Sequence, residues 1–457
     1  MSKKKSASKS SKSLTNAPWL PDLLEFISMP SVSTDSAFRD DVIGTAKWLK
    51  GKFTDLGYKV SMLGAKTHPA VFATPKLDPD KKTILIYGHY DVQPAKEEDG
   101  WLGDPFVPRI KAGKLIARGS TDNKGQIYAY LEGIRQLINE GAELPVNVAF
   151  LIEGEEEIGS PNLAECLAQV REKITPCAVI LSDTGIPSRD QPALTYSCRG
   201  LINFEINIRA GKAALHSGIF GGAVVNPALE MAKLVSKMKD EDGRITIPGI
   251  YDDVKPAEKW ERAAWKDLPI TEESIMKSAG VYDLMGEKGY TALERLWLRP
   301  ALDINGIKSG YIGEGAKTEI SDTAMCKLSI RLVPDQDPKK IEKAIAKWVK
   351  ENTPSYYKLK LDFVAGCGAF YTDPNSDMIE RASKALEKVF GKPPIKIREG
   401  GSIPVLPDFQ DIFKCDLVLA GFAMPDCGAH SKEEYMPLVL VEKLIAYFRE
   451  LVLNQMD

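Results

Sequence analysis

The chain has 457 residues, with 60 Lys and Arg against 63 Asp and Glu and a formal net charge of -3 at pH 7. That length gives room for two or three domains, and 44% apolar and 27% charged residues is the composition of a soluble globular protein. The near-neutral balance excludes a bulk nucleic-acid binder. The lack of any run of about 20 apolar residues excludes a transmembrane helix, and seven cysteines without a C-x-x-C pair make neither a disulfide framework nor a thiolate zinc site. A reducing, cytoplasmic setting is the simplest expectation.

In chain order, Met1 to Ser13 (MSKKKSASKSSKS) is too polar to pack and has no apolar segment for secretion, so a disordered basic tail is expected over 1–13. TILIYG (83–88), VNVAFLIEG (146–154) and AVILSD (178–183) are continuous apolar runs of strand length, the texture of buried parallel strands. Between the first two lies residues 122–141, with Ile127, Tyr130, Leu131, Ile134, Leu137 and Ile138 at helical spacing. Strand, helix, strand in this order predicts an α/β domain with a mainly parallel sheet. After Gly200 the texture changes. LINFEINIRA (201–210) and MCKLSIRLVP (325–334) alternate strictly, as strands with one face in water do. Helices are expected after Asn226-Pro227 and over Lys339 to Glu351. Residues 240–300 join this α+β part without a clear pattern. The first texture returns with a helix over 375–391, a buried strand over 415–422 and a final helix from Glu434 to Leu453. The organisation read from this is an α/β domain in two parts, 14–200 and 374–457, interrupted by an inserted α+β domain over 201–373.

Polar residues cluster where these strands end. His89 follows TILIY, Glu155, Glu156 and Glu157 follow VAFLI, Asp183 ends AVILSD, and His430 lies beyond DLVLAGF; Asp122 opens the first helix. The C-terminal edge of an open α/β sheet is where ligands bind. Imidazoles and carboxylates gathered there suit a two-ion site for zinc or manganese, in which one carboxylate touches both ions. Each position also has a plain structural reading. A strand-end carboxylate is ordinarily a turn or cap residue, and three adjacent glutamates are ordinarily a solvated face. Spacing alone does not show that the groups converge.

GHYDVQP, ARGSTDNKGQ, EGEEEIGS, LSD, LHSGIFGG, SIRLVP, REGGSIP and GAHSKEE resemble, in this order, the motifs of the dinuclear-metal metallopeptidases. That family includes carnosinase, cytosolic nonspecific dipeptidase, carboxypeptidase G, aminoacylase and succinyl-diaminopimelate desuccinylase. The resemblance runs from about Trp19 to the end and is nearest in wording to the dipeptidase branch. It implies two divalent ions, zinc or manganese, per subunit. His89 and Asp183 would hold one, Glu157 and His430 the other, and Asp122 would bridge them. It further implies a cis peptide at Asp122–Asn123, Asp91 orienting the His89 imidazole, and Glu156 as general base. His216 of LHSGIFGG would stabilise the oxyanion in the site of a second subunit, hence a homodimer. Arg331 would grip the free carboxylate of a small peptide, with Thr318, Gly401 and Ser402 at the same end and Asn226 near the substrate. The two-part α/β domain would be catalytic and the inserted α+β domain a lid or dimerisation domain. Taken alone, His216 reads as packed at a turn and Arg331 as solvated. His68 matches no motif and reads as structural.

Two departures leave substrate choice open. KAALHSG lacks the acidic residue many relatives carry before Leu-His, and SDTG continues differently from many dipeptidases. The implied activity is hydrolysis of dipeptides or short peptides, with no nucleic-acid or membrane partner. The alternatives are an N-acyl-amino-acid deacylase or carboxypeptidase of the same family, and a non-catalytic amino-acid-binding relative. The presence of every expected ligand and of Glu156 speaks against the last.

Overall fold

The computed structural model describes residues 14–268 and 270–454; the basic tail expected over 1–13 lies outside them. In chain order the principal strands are β1 (Lys59–Leu63), β2 (Ala70–Thr74), β3 (Thr83–His89), β4 (Asn147–Glu153), β5 (Pro176–Leu181), β6 (Ala193–Cys198), β7 (Gly200–Arg209), β8 (Ala301–Ser309), β9 (Thr323–Leu332), β10 (Lys358–Cys367) and β11 (Asp416–Leu419). They belong to two compact units. One comprises the chain up to Tyr196, Thr372–Ile397 and the stretch from Asp408; the other comprises Ser197–Tyr371 and Arg398–Pro407. The short segment Arg398–Pro407 joins the second unit through Arg398–Glu261, Arg331–Ser402 and Arg199–Gly400 hydrogen bonds.

In the first unit the sheet order is β1-β2-β4-β3-β5-β11-β6. β3 is parallel to β4 and β5, and β11 is parallel to β5. The flanking pairs β1–β2, β2–β4 and β11–β6 are antiparallel. The apolar runs behave as their composition requires: β3 and β4 are buried at every position. Full burial of a large aliphatic side chain contributes about 1.5–3 kcal/mol, against about 1–2 kcal/mol of backbone entropy per ordered residue. A strand such as Ile84–Tyr87 is therefore a firm base for the His89 that ends it. Helices cover both faces. Phe150 of β4 packs on Phe53 and Phe448, with centroids 4.8 and 6.4 Å away. Ile86 is the register partner of Phe150, so the next residue, Tyr87, points the other way, where it meets Phe409 at 4.7 Å.

The helix expected over 122–141 runs Lys124–Asn139 and is less amphipathic than its spacing implies. Lys124 to Leu131 and on to Ile134 are buried, while Ile138, read as core, is exposed. It is flanked by the helices Leu20–Ser28 and Leu438–Leu453 as well as by the sheet. Two glycines permit this approach. A Cβ on Gly88 would sit 2.1 Å from Ile127 Cγ2, and one on Gly133 would sit 2.5 Å from Phe448 Cδ1. The final helix begins at Leu438, not Glu434. Tyr435–Pro437 is instead a short strand paired with Lys114–Ile116, as the extended preference of a residue preceding proline requires.

The second unit is built on a four-stranded antiparallel sheet of order β8-β9-β7-β10. The alternation of β7 and β9 is observed. Ile202, Phe204, Ile206, Leu328 and Ile330 are buried against Met231, Leu234, Ile341 and Ile345 of the helices Pro227–Ser236 and Pro338–Glu351, and Asn203, Glu205, Lys327 and Arg331 line the opposite face. Asn226 Oδ1 accepts the N–H of Ala228 at 3.0 Å and of Leu229 at 3.4 Å, a cap of about 1 kcal/mol. That helix ends at Ser236, so Met238 packs from the following turn, and Leu229 faces outward. Residues 240–300 hold short helices, Lys259–Lys266, Glu272–Ala279 and Ala292–Trp297, with Trp265 edge-on to Trp297 at 5.2 Å. Cys166, Cys177, Cys326, Cys415 and Cys427 are free thiols.

Candidate metal centre

Because β3, β4, β5 and β11 are parallel, their C-terminal ends open at one edge of the first unit, and the residues singled out there converge. His89 is the last residue of β3. Its Nδ1 donates to the Asp91 carbonyl at 3.1 Å, which requires the proton on Nδ1 and leaves Nε2 with its lone pair. Nε2 lies 3.1 Å from Asp122 Oδ1 and 3.7 Å from Asp183 Oδ2. The other oxygen of Asp122 lies 2.8 Å from His430 Nε2, which is itself 3.2 Å from Glu157 Oε2. One carboxylate thus faces a different imidazole with each oxygen. The two groups His89–Asp122–Asp183 and Asp122–Glu157–His430 share it, and within each group the ligand atoms lie within 4.8 Å of one another. The Asp122–Asn123 peptide is cis.

The three consecutive glutamates divide by environment. Glu155 is tied to the Asn162 side-chain amide at 2.9 Å and to its backbone N–H at 3.3 Å. Glu157 faces His430. Glu156 lies between them in the short 3₁₀ turn Glu156–Ile158, and among the described residues its carboxylate accepts no hydrogen bond. The Asp91 carboxylate accepts the N–H of Glu156 at 3.3 Å and of Glu157 at 3.1 Å, with Oδ1 3.4 Å from His89 Nδ1. Asp91 therefore holds an imidazole and the glutamate turn together.

The electrostatics follow from burial and crowding. Burial opposes charge on His89, but the Asp122 and Asp91 carboxylates beside it raise its pKa well above the usual imidazole value. Contacts with Asp122 and Glu157 raise His430 to about 10. Burial would raise Asp122, yet the two imidazoles hold it well below the usual carboxylate range. Burial, then Asp122, raise Asp183 to about 7, and burial with the surrounding carboxylates raises Glu156. Four carboxylates against two imidazoles make a cavity short of positive charge. His89 Nε2 and Glu157 Oε1 are also buried without a hydrogen-bond partner, which is costly in the protein alone. Both features fit a pair of divalent cations, which would supply the charge and the partners at once.

The remaining expected residues lie in the second unit. His216 is exposed, and its Nδ1 accepts the Gly218 N–H at 3.0 Å. Thr318 adjoins it, since its carbonyl accepts the Ser217 N–H at 3.1 Å. Arg331 donates to Ser402 Oγ at 2.7 Å. Gly401 precedes Ser402, and its carbonyl accepts the Arg199 N–H at 3.1 Å. Asn226 is exposed at its cap.

Some participants escaped the sequence reading. Gln93 donates to Glu157 Oε2 at 2.8 Å, and Asn123 donates to Asp183 Oδ1 at 3.4 Å. Arg199 sits on the same sheet face as Arg331, diagonal to it across the Leu201–Arg331 register pair. Its Nε donates to the Gly400 carbonyl at 2.8 Å. Burial and then the Arg331 charge lower its pKa to about 10, so the two guanidinium groups are close. Glu434, expected to open the final helix, precedes it and is fully buried. His68 Nδ1 lies 2.8 Å from Thr67 Oγ1 and its N–H donates to the Ala65 carbonyl at 3.2 Å, both local contacts.

A parallel sheet edge bearing paired imidazoles and a carboxylate between them gives this α/β protein two adjoining groups that could each hold a cation. Residues 85–454 match Peptidase family M20/M25/M40, and the chain belongs to this family, as its motifs implied. Cys-Gly metallodipeptidase DUG1 of Candida albicans is 35% identical over 434 residues, covering 90% of this chain and 89% of that one. Beta-Ala-His dipeptidase of Rattus norvegicus is 33% identical over 373 residues, covering 80% and 76%. The structure of the M20 family metallo-carboxypeptidase Sso-CP2 from Sulfolobus solfataricus matches with a TM-score of 0.86 and 32% identity, covering 95% and 98%.

Proposed function

We propose that this chain hydrolyses the peptide bond of dipeptides with two divalent ions, zinc or manganese, and Glu156 as general base. The observation that carries the reading is Asp122, whose two oxygens face His89 and His430 at 3.1 and 2.8 Å. His89 and Asp183 would hold one ion, Glu157 and His430 the other, with Asp122 shared between them. Bound there, such ions lower the pKa of a water and polarise a carbonyl. Glu156 takes the proton of the attacking water and delivers it to the leaving amine, one carboxylate serving as base and then acid. It suits this task because no neighbour ties up its oxygens. Asp91 keeps the His89 tautomer and the Glu156 backbone in place.

The oxyanion needs a donor. His216 Nδ1 accepts from Gly218, so the proton of the neutral ring sits on Nε2, ready to donate. We assign this role to His216 of the second subunit in a homodimer. Arg331, with Arg199 beside it and Ser402 accepting from it, reads the free carboxylate of the peptide bidentately, and Gly401, Thr318 and Asn226 contribute to substrate binding. Free cysteines and the lack, among the described residues, of a helix long and apolar enough to cross a membrane accord with a cytoplasmic enzyme.

His216→Ala is expected to lower kcat by about 10²–10³-fold, the effect of removing one oxyanion donor, with ion content unchanged. Mixing it with Glu156→Gln subunits should restore activity to about a quarter of wild type, since half of randomly paired dimers are mixed and each holds one complete site. A mixture no faster than its parents would place His216 in its own subunit or outside the reaction. The overall reading is tested with a panel of dipeptides, longer peptides and N-acyl amino acids, each with zinc and with manganese. Turnover of N-acyl amino acids alone would make the chain a deacylase. Turnover of longer peptides from the C-terminus would favour the carboxypeptidase reading, which the likeness to Sso-CP2 supports.

A further inference from the structure

The loop that carries Asp122 and the loop that carries His430 are joined by a buried ion pair that the reaction itself does not use. Glu434 is 0% exposed and Arg118 is 3% exposed. Glu434 Oε2 accepts from Arg118 Nη1 at 2.7 Å and from the Gly119 N–H at 3.0 Å. Its Oε1 accepts the N–H of Thr121 at 2.8 Å and of Asp122 at 3.0 Å. Arg118 Nη2 reaches back to the Ser431 carbonyl at 3.1 Å. Thr121 Oγ1 donates to the Tyr435 carbonyl at 2.7 Å, and the Ala117 N–H to the Glu434 carbonyl at 3.0 Å.

These bonds bear on one ion position more than the other. The group Asp122–Glu157–His430 draws its ligands from three separate segments. Asp91 holds Glu157 through its backbone N–H, but His430 sits half-exposed in a left-handed conformation with φ 56°. What fixes its loop against the Asp122 loop is the Arg118–Glu434 pair, which reaches the Asp122 and Thr121 N–H groups on one side and the carbonyl of Ser431, next to His430, on the other. His89 and Asp183, by contrast, stand at the ends of β3 and β5. We propose that Glu434, held by Arg118, is a positioning residue that sets the separation of Asp122 and His430, and so the affinity of the ion they share with Glu157.

This inference rests on the two-ion reading above. The test is calorimetric Mn²⁺ titration of the full-length chelator-treated protein, comparing wild type with Glu434→Gln, Arg118→Lys and Glu261→Gln. Glu261 forms a buried pair of the same chemistry with Arg398, 2.8 Å from Nε, in the second unit, and serves as the control for lost stability alone. Arg118→Lys keeps the positive charge beside Glu434 but cannot also reach Ser431, so it serves if Glu434→Gln does not fold. The expected result is one ion bound within about threefold of wild type and the other weakened about 10–100-fold, the usual effect of removing a ligand's supporting partner. Glu261→Gln should take up two ions at wild-type affinity. Two ions at unchanged affinity in both test variants, or equal weakening of both positions, would overturn the proposal alone. A wild-type protein that takes up fewer than two ions overturns the two-ion reading and the proposal with it.

Discussion

Replacing Glu156 by Gln is expected to leave two ions in the protein and to cut kcat by about 10²–10⁴-fold, the contribution of a positioned general base. The substitution is nearly isosteric, and the carboxylate accepts no hydrogen bond among the described residues, so it disturbs little besides the proton transfer. The neighbours supply the contrast. Glu157→Gln removes a group 3.2 Å from His430 Nε2 and should cost an ion. Glu155→Gln weakens the ties to Asn162 and should change stability more than rate. Three adjacent glutamates thus yield three separable phenotypes in rate, ion content and melting temperature. If Glu156→Gln retained activity within tenfold of wild type, or lost its ions, the base assignment would fall.

How far the sequence disclosed this arrangement depends on what each residue does. The parallel strands were legible because burial on both faces demands continuous apolar runs, and His89, Asp183 and the glutamates stand where those runs stop. Their convergence followed only from pairing order, which sets β3 between β4 and β5 and so brings all three strand ends to one edge. Glu434 was invisible for the opposite reason. It follows Ser431, Lys432 and Glu433, a polar string with the look of a solvated face, and nothing local reports four donors reaching it from residues 118–122. The proline at 437 was the available signal that no helix could begin there. Residues 240–300 also carried readable starts that were passed over: Thr291 and Glu294 form a capping box, and so do Thr271 and Ser274. Arg199 could not have been singled out, because its closeness to Arg331 depends on the β7–β9 register.

Stripping the ions with a chelator is expected to abolish hydrolysis, with zinc or manganese restoring it, and the consequences for stability have a definite sign in pH. Without ions, burial and Asp122 raise Asp183 to about 7, above its unfolded value near 4. The folded state then holds more protons than the unfolded chain between those values, so stability falls as pH rises from about 4 to 7. His430, raised to about 10 by Asp122 and Glu157, contributes stability that is fully present below about 6.5 and is lost as pH rises through about 10. Both groups push the ion-free protein toward lower melting temperature at higher pH. Cations need ionised carboxylates and a neutral imidazole, so their uptake expels these protons and tightens as pH rises. The gap in melting temperature between loaded and stripped protein should therefore widen from pH 5 to pH 8, with proton release measurable in buffers of different ionisation enthalpy. Full activity in chelator, or a gap indifferent to pH, would mean that the imidazoles and carboxylates are salt-bridged for structure and hold no cation.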